Sequence, residues 1–156
     1  MELIGEQRTA TMSGVDIIDG TAHTWQLSYQ WACNDAGRAQ SRRPKQHNDC
    51  TVRALAAARH LTYDAAYDIL AAAGRVSGQG FKFGPWINAQ PWAKKMAFPA
   101  RRGEKRMTLA TFVHEHSIGC YICKLAKHVV TVRDGIVFDD RENAPDRCVY
   151  TAWKVD

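Results

Sequence analysis

The sequence predicts an α+β fold, in which helices early in the chain pack on a mostly antiparallel sheet formed late in the chain. From residue 50 to residue 60, apolar side chains recur at spacings of three and four, as in a helix that buries one face. From residue 119 to residue 140 the pattern changes to β-rich runs on either side of Asp134–Gly135, a typical hairpin turn. Because helices and strands are segregated along the chain, we expect segregated layers and not an alternating parallel sheet.

The length of 156 residues is typical of one domain, and we expect residues 1–156 to fold as a single unit. The apolar fraction of 46% and the charged fraction of 24% are ordinary for a soluble globular protein. No apolar run approaches the roughly 20 residues of a membrane span, and the N-terminal segment lacks the apolar core of a signal peptide. We therefore expect a cytoplasmic protein with free thiols, while its oligomeric state is not predicted.

Residues 1–43 are predicted to be a β-rich extension in front of a core of residues 44–156. The stretch "HTWQLSYQWAC" at 23–33 is rich in aromatic residues and partly alternates, which is typical of a strand. A further helix is predicted at 108–116 and the last strand at 147–155.

Two helix starts carry capping residues. Asp49 or Asn48 is expected to cap the helix that begins at Cys50, because either side chain can accept a bond from a free backbone N–H group. For the second helix, Thr62 is the expected N-cap and Gly74 the residue at which the helix ends.

The segment 75–107 contains many glycines and prolines, and we expect a loop, a short helix near 86–96 and a second loop. Its aromatic side chains could form the wall of a substrate groove, although packing in the core beneath a long loop is the favoured interpretation. These side chains are Phe81, Phe83, Trp86 and Trp92.

Cys50 stands where a polar run ends and a helix begins. A thiol there lies near free backbone N–H groups and the positive end of the helix dipole, which both favour the nucleophilic thiolate. A base must later protonate the leaving group, and His128 at the start of the run "HVVTV" is the best candidate. With a two-residue turn, Val130 faces Asp139, and His128 is a diagonal neighbour whose imidazole Asp139 could orient. A three-residue loop with a glycine bulge would pair His128 with Asp140 instead.

This order of a cysteine opening a helix, a histidine on a strand and a carboxylate on the next strand resembles the papain-like cysteine peptidase superfamily. The stretch "QHNDC" is similar to the Gln…Asp–Cys opening of bacteriocin-processing peptidase domains, and "NDCTVRAL" to the nucleophile segment of ovarian-tumour-type deubiquitinases. The overall look is nearest to small bacteriophage members, which carry words such as "NDCTVRALA" and "GHVVAVVDGVVYD". The resemblance covers roughly residues 40–74 and 117–155.

The resemblance implies a papain-like fold and a cysteine hydrolase that cleaves a peptide, isopeptide or related amide bond in a protein or peptide substrate. It implies that Cys50 is the nucleophile, His128 the base and Asp139 the orienting carboxylate, with no cofactor and no metal. The oxyanion donor of the family is a glutamine before the cysteine, which corresponds to Gln46, and Asn48 is the alternative. If the chain is phage-encoded, the expected location is the host cytoplasm.

Two other functions stay open at this point. The formal net charge is +5, with basic clusters at 37–45 and 94–106 that could contact a polyanion such as nucleic acid. Solvated loops are the favoured interpretation of these clusters. A papain-like fold could also be a non-catalytic binding module, of nucleic acid or of a host protein, or a transamidase that passes the acyl group to an amine.

The stretch "HEHSIGCYIC" contains four side chains of the types that bind zinc. His114 and His116 are two residues apart at a helix end, and Cys120 and Cys123 are three apart on a predicted strand. The two side chains of each pair are expected to point in different directions, so a zinc site is not favoured.

Overall fold

The computed structural model describes residues 5–99 and 102–156 and confirms the α+β class. Seven strands and four helices follow one another along the chain. They are β1 (Glu6–Ile18), β2 (Thr21–Cys33), α1 (Cys50–Arg59), α2 (Tyr63–Ala72), α3 (Phe83–Asn88), β3 (Ala93–Ala97), α4 (Leu109–Glu115), β4 (Cys120–Leu125), β5 (His128–Arg133), β6 (Ile136–Asp139) and β7 (Thr151–Val155). None of the helices in the described ranges is both long enough and apolar enough to cross a membrane.

The seven strands form one mixed sheet in the order β1-β2-β6-β5-β4-β7-β3. All neighbouring strands are antiparallel except β2 and β6, which pair in parallel with Cys33 opposite Asp139. The N-terminal hairpin therefore continues the sheet of the core and adds two strands beside β6, with the end of β2 next to the last residue of β6.

The β1–β2 hairpin is long and regular, with 13 residues in each strand and an unbroken register from Glu6–Cys33 to Ile18–Thr21. Its two-residue turn, Asp19–Gly20, has positive φ at both positions (49° and 73°), as a type I′ turn requires. The base of the hairpin is buried in the core, whereas three apolar side chains near its tip are more than half exposed. These are Val15, Ile17 and Ile18.

Helices cover both faces of the sheet. Helices α1 and α3 pack on one face, where Ala54, Phe83 and Ile87 contact Ile122 and Trp153. Helix α4 packs on the other face through Phe112, and α2 packs on the outer side of α1. This arrangement presses the first helix against the middle of the sheet, so that its N-terminus lies near the start of β5.

The prediction of a helix near 86–96 is wrong: the helix is Phe83–Asn88, and Ala93–Ala97 is a strand. Pro91 lacks a backbone N–H group and disfavours a helical residue before it, so the helix ends earlier. The strand then forms because β3 pairs with β7, a partner that lies about sixty positions along the chain.

The aromatic side chains of this segment belong mainly to the core. Phe83 is buried, and Phe81, Trp86 and Trp92 are half-buried against the clusters around α1. The prediction that these side chains pack in the core, which was favoured over a groove wall, is confirmed.

Candidate active site

Cys50, His128 and Asp139 meet at one end of the sheet. Cys50 is the first residue of α1, His128 the first of β5 and Asp139 the last of β6. His128 Nε2 lies 2.6 Å from Asp139 Oδ2, and the same ring is close enough to Cys50 to lower the pKa of its thiol. Because Nε2 is taken by Asp139, Nδ1 is the ring nitrogen left for the thiol.

The hairpin register that selects Asp139 is confirmed. Val132 faces Val137 across the two-residue turn Asp134–Gly135, as the sequence predicts. His128 therefore meets Asp139, while Asp140 turns to Arg38 at 3.2 Å.

The environment favours a charged Cys50–His128 pair. Burial raises the pKa of the Cys50 thiol, but the hydrogen bond and charge of His128, with a backbone bond from Val129, lower it more, so that its net pKa is below the ordinary value. Burial lowers the pKa of His128, but its bonds to Asp139 and Cys50 outweigh this and raise it to about 9. Both shifts favour a thiolate beside an imidazolium, which is the reactive form of such a pair.

Asp139 is held rigidly. Its side chain is fully buried, and Oδ2 accepts bonds from His128 and from Asn143 Nδ2 at 2.7 Å. Oδ1 accepts bonds from Arg53 at 2.5 Å and from the backbone N–H of Asp140 at 2.7 Å. Burial alone raises the pKa of this carboxyl, yet the bond and charge of His128 and the charge of Arg53 hold it well below its usual range. A carboxylate with four donors cannot rotate freely, so it fixes the angle of the imidazole.

Asp49 occupies the N-cap position of α1, but the predicted capping bond is absent. Its buried carboxylate accepts bonds from Tyr63 at 2.7 Å, from Arg53 at 3.2 Å and from Arg38 at 3.1 Å. The capping prediction is therefore wrong for this side chain, because two guanidinium groups and a phenol compete for it more strongly than a backbone N–H group. In consequence the Asp49 carboxylate leaves the first-turn N–H groups of α1 uncapped beside Cys50.

Arg53 joins the two carboxylates and was not predicted as a site residue. It is 5% exposed and contacts Asp49, Asp139 and Asp140. The signal in the sequence is its position four residues after Asp49, where an aspartate and an arginine on one helix face can pair.

Gln46 and Asn48, the two predicted oxyanion donors, lie in the loop before α1 and bind the 75–78 segment. Gln46 Oε1 accepts bonds from Gly78 N at 2.6 Å and from Arg75 at 3.2 Å, and its Nε2 donates to Ser77 at 3.1 Å. Asn48 Nδ2 donates to the carbonyl of Gly78 at 2.9 Å. The oxyanion role of both residues stays a prediction.

Tyr29 of the N-terminal hairpin also reaches the site. Its hydroxyl donates to the carbonyl of Asn143 and accepts a bond from the Asn143 backbone N–H at 3.2 Å. Because the Asn143 side chain holds Asp139, the hairpin supports the carboxylate through one intermediate residue.

The four zinc-type side chains are dispersed. His114 contacts the carbonyl of Ser28 at 3.0 Å, His116 stacks on Phe112, and Cys120 points to the carbonyl of Ala58. Cys123 is fully buried. Across residues 5–99 and 102–156, no three or more His, Cys, Asp or Glu side chains are arranged to hold a metal ion.

The first basic cluster is largely paired with acidic residues. Arg43 contacts Asp64 at 2.6 Å and Asp68 at 2.8 Å, and Arg42 contacts the same two carboxylates at longer distances. This pairing favours the interpretation of residues 37–45 as a solvated loop. In the second cluster, 94–106, residues 100 and 101 lie outside the described residues.

Comparison with protein-family models, with curated proteins and with solved structures gives no match to this chain.

Proposed function

We propose that the protein is a papain-like cysteine hydrolase, in which Cys50 attacks the carbonyl carbon of an amide in a protein or peptide. One observation carries the proposal: a buried carboxylate 2.6 Å from an imidazole that lies beside a thiol at the start of a helix. Each group has the pKa direction that acyl transfer through a thiolate requires.

The first half-reaction forms an acyl-enzyme. The thiolate of Cys50 forms a carbon–sulfur bond, and the carbonyl oxygen becomes an oxyanion that the backbone N–H of Cys50 can stabilise. The carbon–nitrogen bond then breaks as the proton on His128 passes to the departing amine, and a thioester and neutral imidazole remain.

The second half-reaction uses water. Neutral His128 takes a proton from a water molecule, whose oxygen attacks the thioester carbon and expels the thiolate of Cys50. The products are a carboxylic acid and the original thiolate–imidazolium pair. An amine in place of water would give a transamidase with the same residues.

Alkylation at mildly acidic pH tests the activated pair. Iodoacetamide at pH 6 should label Cys50 stoichiometrically, because the pKa of this thiol is below its ordinary value, as intact mass and peptide mapping would report. The His128→Ala variant should slow this labelling about 10-fold to 100-fold.

Cys120 supplies the matched control. It is another half-buried free thiol, but burial raises its pKa above the ordinary value. The Cys120→Ala variant should react with iodoacetamide as the wild type does. Equal labelling of Cys50 and Cys120 at pH 6 would contradict the proposal.

Turnover itself separates a hydrolase from a binding module. Incubation with a peptide library in ¹⁸O-labelled water should give new carboxyl termini that carry the label, and Cys50→Ala should give none. Biological activity that persists in Cys50→Ala, together with salt-sensitive retention of DNA, would favour the binding module instead. Label-free products joined to an added amine would identify the transamidase.

A further inference from the structure

The two edges of the sheet are built differently. The β3 edge has only five residues and exposes Lys94 and Lys95, both features that discourage pairing with another chain. The β1 edge has 13 residues and contains neither lysine nor proline. An edge this long, with unprotected backbone groups, is a template for one more strand.

The hydrogen-bond pattern shows which residues of β1 face outward. The backbone N–H of Asn34 donates to the carbonyl of Asp139 at 2.8 Å, so even-numbered residues at the end of β2 face β6. Odd-numbered residues of β2 therefore face β1, and because Trp31 pairs with Arg8, even-numbered residues of β1 face β2. The type I′ turn gives the same result, since it bonds Ile18 to Thr21. The outward N–H and C=O groups thus belong to the odd-numbered residues from Gln7 to Ile17.

We propose that two copies of the chain pair along β1, antiparallel, with the two Met12 residues facing each other on the two-fold axis. In this register Thr11 of each copy faces Ser13 of the other, and both residues have outward backbone groups. Gln7 likewise faces Ile17 and Thr9 faces Val15. Each such pair exchanges two hydrogen bonds, which gives about 12 bonds across the interface.

Charge selects this register over its neighbours. With Met12 on the axis, Arg8 of one copy lies directly opposite Asp16 of the other, on the same face of the sheet. A shift by two residues in one direction places Glu6 opposite Asp16, so that two negative charges oppose each other. A shift in the other direction places Arg8 opposite Ile18 and gives neither Arg8 nor Asp16 an opposite charge across the interface.

Arg8 has two contacts in the single chain that the new pair would replace. Its guanidinium bonds Glu6 at 3.1 Å, with 51% and 72% of the two side chains exposed, and lies 5.5 Å from the centre of the Trp31 ring. An exposed ion pair of this kind is weak, and the side chain can turn to Asp16 of a second copy. The pairing would also place the exposed Val15 and Ile17 beside another strand.

Sedimentation equilibrium of the full chain tests the dimer. The expected mass is twice 17.5 kDa, falling to 17.5 kDa in Ser13→Pro, which removes an outward N–H but no bond to β2. Ser13→Ala keeps that N–H and should stay dimeric. A wild type that is monomeric, or a dimer that survives Ser13→Pro, would overturn the proposal and point to another partner or surface.

Charge reversal tests the register. Arg8→Asp and Asp16→Arg should each raise the dimer dissociation constant about 10-fold, because each dimer contains two such pairs. The double variant, Arg8→Asp with Asp16→Arg, restores opposite charges and should return the dissociation constant to the wild-type value. Single variants that dimerise like the wild type would exclude this register. Circular dichroism confirms that each variant remains folded.

Discussion

His128 is the residue on which the proposed chemistry depends, since it contacts both the thiol and the carboxylate. Its raised pKa reflects two neighbours that favour the imidazolium, Asp139 on Nε2 and Cys50 on the other side of the ring. Because Asp139 is bonded to Arg53 and Asn143 as well, the ring is held at a fixed angle. The imidazolium should therefore be lost as pH rises through about 9, which sets the alkaline limit of the pair's reactivity.

The Asp139→Asn variant tests whether Asp139 raises the pKa of His128. Loss of the negative charge removes a group that favours the imidazolium, so the pKa of His128 should fall from about 9, as NMR titration of the ring would show. The alkaline limit of the proposed activity should move to lower pH by the same amount. Asp140→Asn is the control, because Asp140 contacts arginines and not His128, and an equal shift in both variants would contradict the assignment.

At the scale of elements, the N-terminal hairpin matters because one of its residues supports the site. Tyr29 on β2 bonds both backbone groups of Asn143, and Asn143 bonds Asp139. The parallel pair of β2 and β6 sets Cys33 opposite Asp139, and the chain after β6 brings Asn143 to the Tyr29 hydroxyl. The hairpin is thus a structural support of the candidate site.

Tyr29→Phe should destabilise the fold by about 1–3 kcal/mol, because it leaves two buried backbone groups of Asn143 without their partner. Urea denaturation would measure this cost. Asn143 should also hold Asp139 less firmly, so labelling of Cys50 at pH 6 should slow although the variant is folded. Unchanged stability and unchanged labelling would show that the hairpin does not support the site.

Elements defined by local signals could be predicted from the sequence. The start of α1 at Cys50, the Thr62 cap of α2 and the Asp134–Gly135 hairpin depend on residues within a few positions of each other. The strand β3 could not be predicted, because pairing with β7 overrides a local pattern that is ambiguous around Pro91. The same holds for Arg53: its partner Asp139 is distant in the chain, and only the fold brings the two together.

At the scale of the whole molecule, a buried ionic cluster ties the first helix to the sheet. Burial raises the pKa of Asp49, but the hydrogen bond from Tyr63 and the charge of Arg53 outweigh this effect, so the net pKa is below its ordinary value. The pKa of Asp139 is also below its usual range. A carboxyl whose pKa is lower in the folded state stabilises the fold at pH values above its pKa in the unfolded chain, which is about 3.9. That stabilisation is lost as pH falls through the lower folded value.

The free energy of unfolding should therefore decrease as pH falls below about 5, as urea titrations between pH 3 and pH 7 would show. In Asp49→Asn one such carboxyl is gone, so the slope below pH 4 should be less steep by up to about 1.4 kcal/mol per pH unit. Glu104→Gln, an exposed carboxyl in the loop before α4 and away from the β1 edge, is the control and should keep the wild-type slope. Identical slopes in all three proteins would exclude Asp49 from the acid response.

The parallel pairing of β2 with β6 also has a consequence for synthesis. Residue 33 leaves the ribosome about 100 residues before residue 139, which at about 5–20 residues per second is a delay of about 5–20 seconds. During this interval the nascent hairpin has two open edges, one awaiting β6 and one that stays open in the monomer. Translation speed, or a chaperone that shields the hairpin on the ribosome, should therefore affect the yield of correctly folded chain.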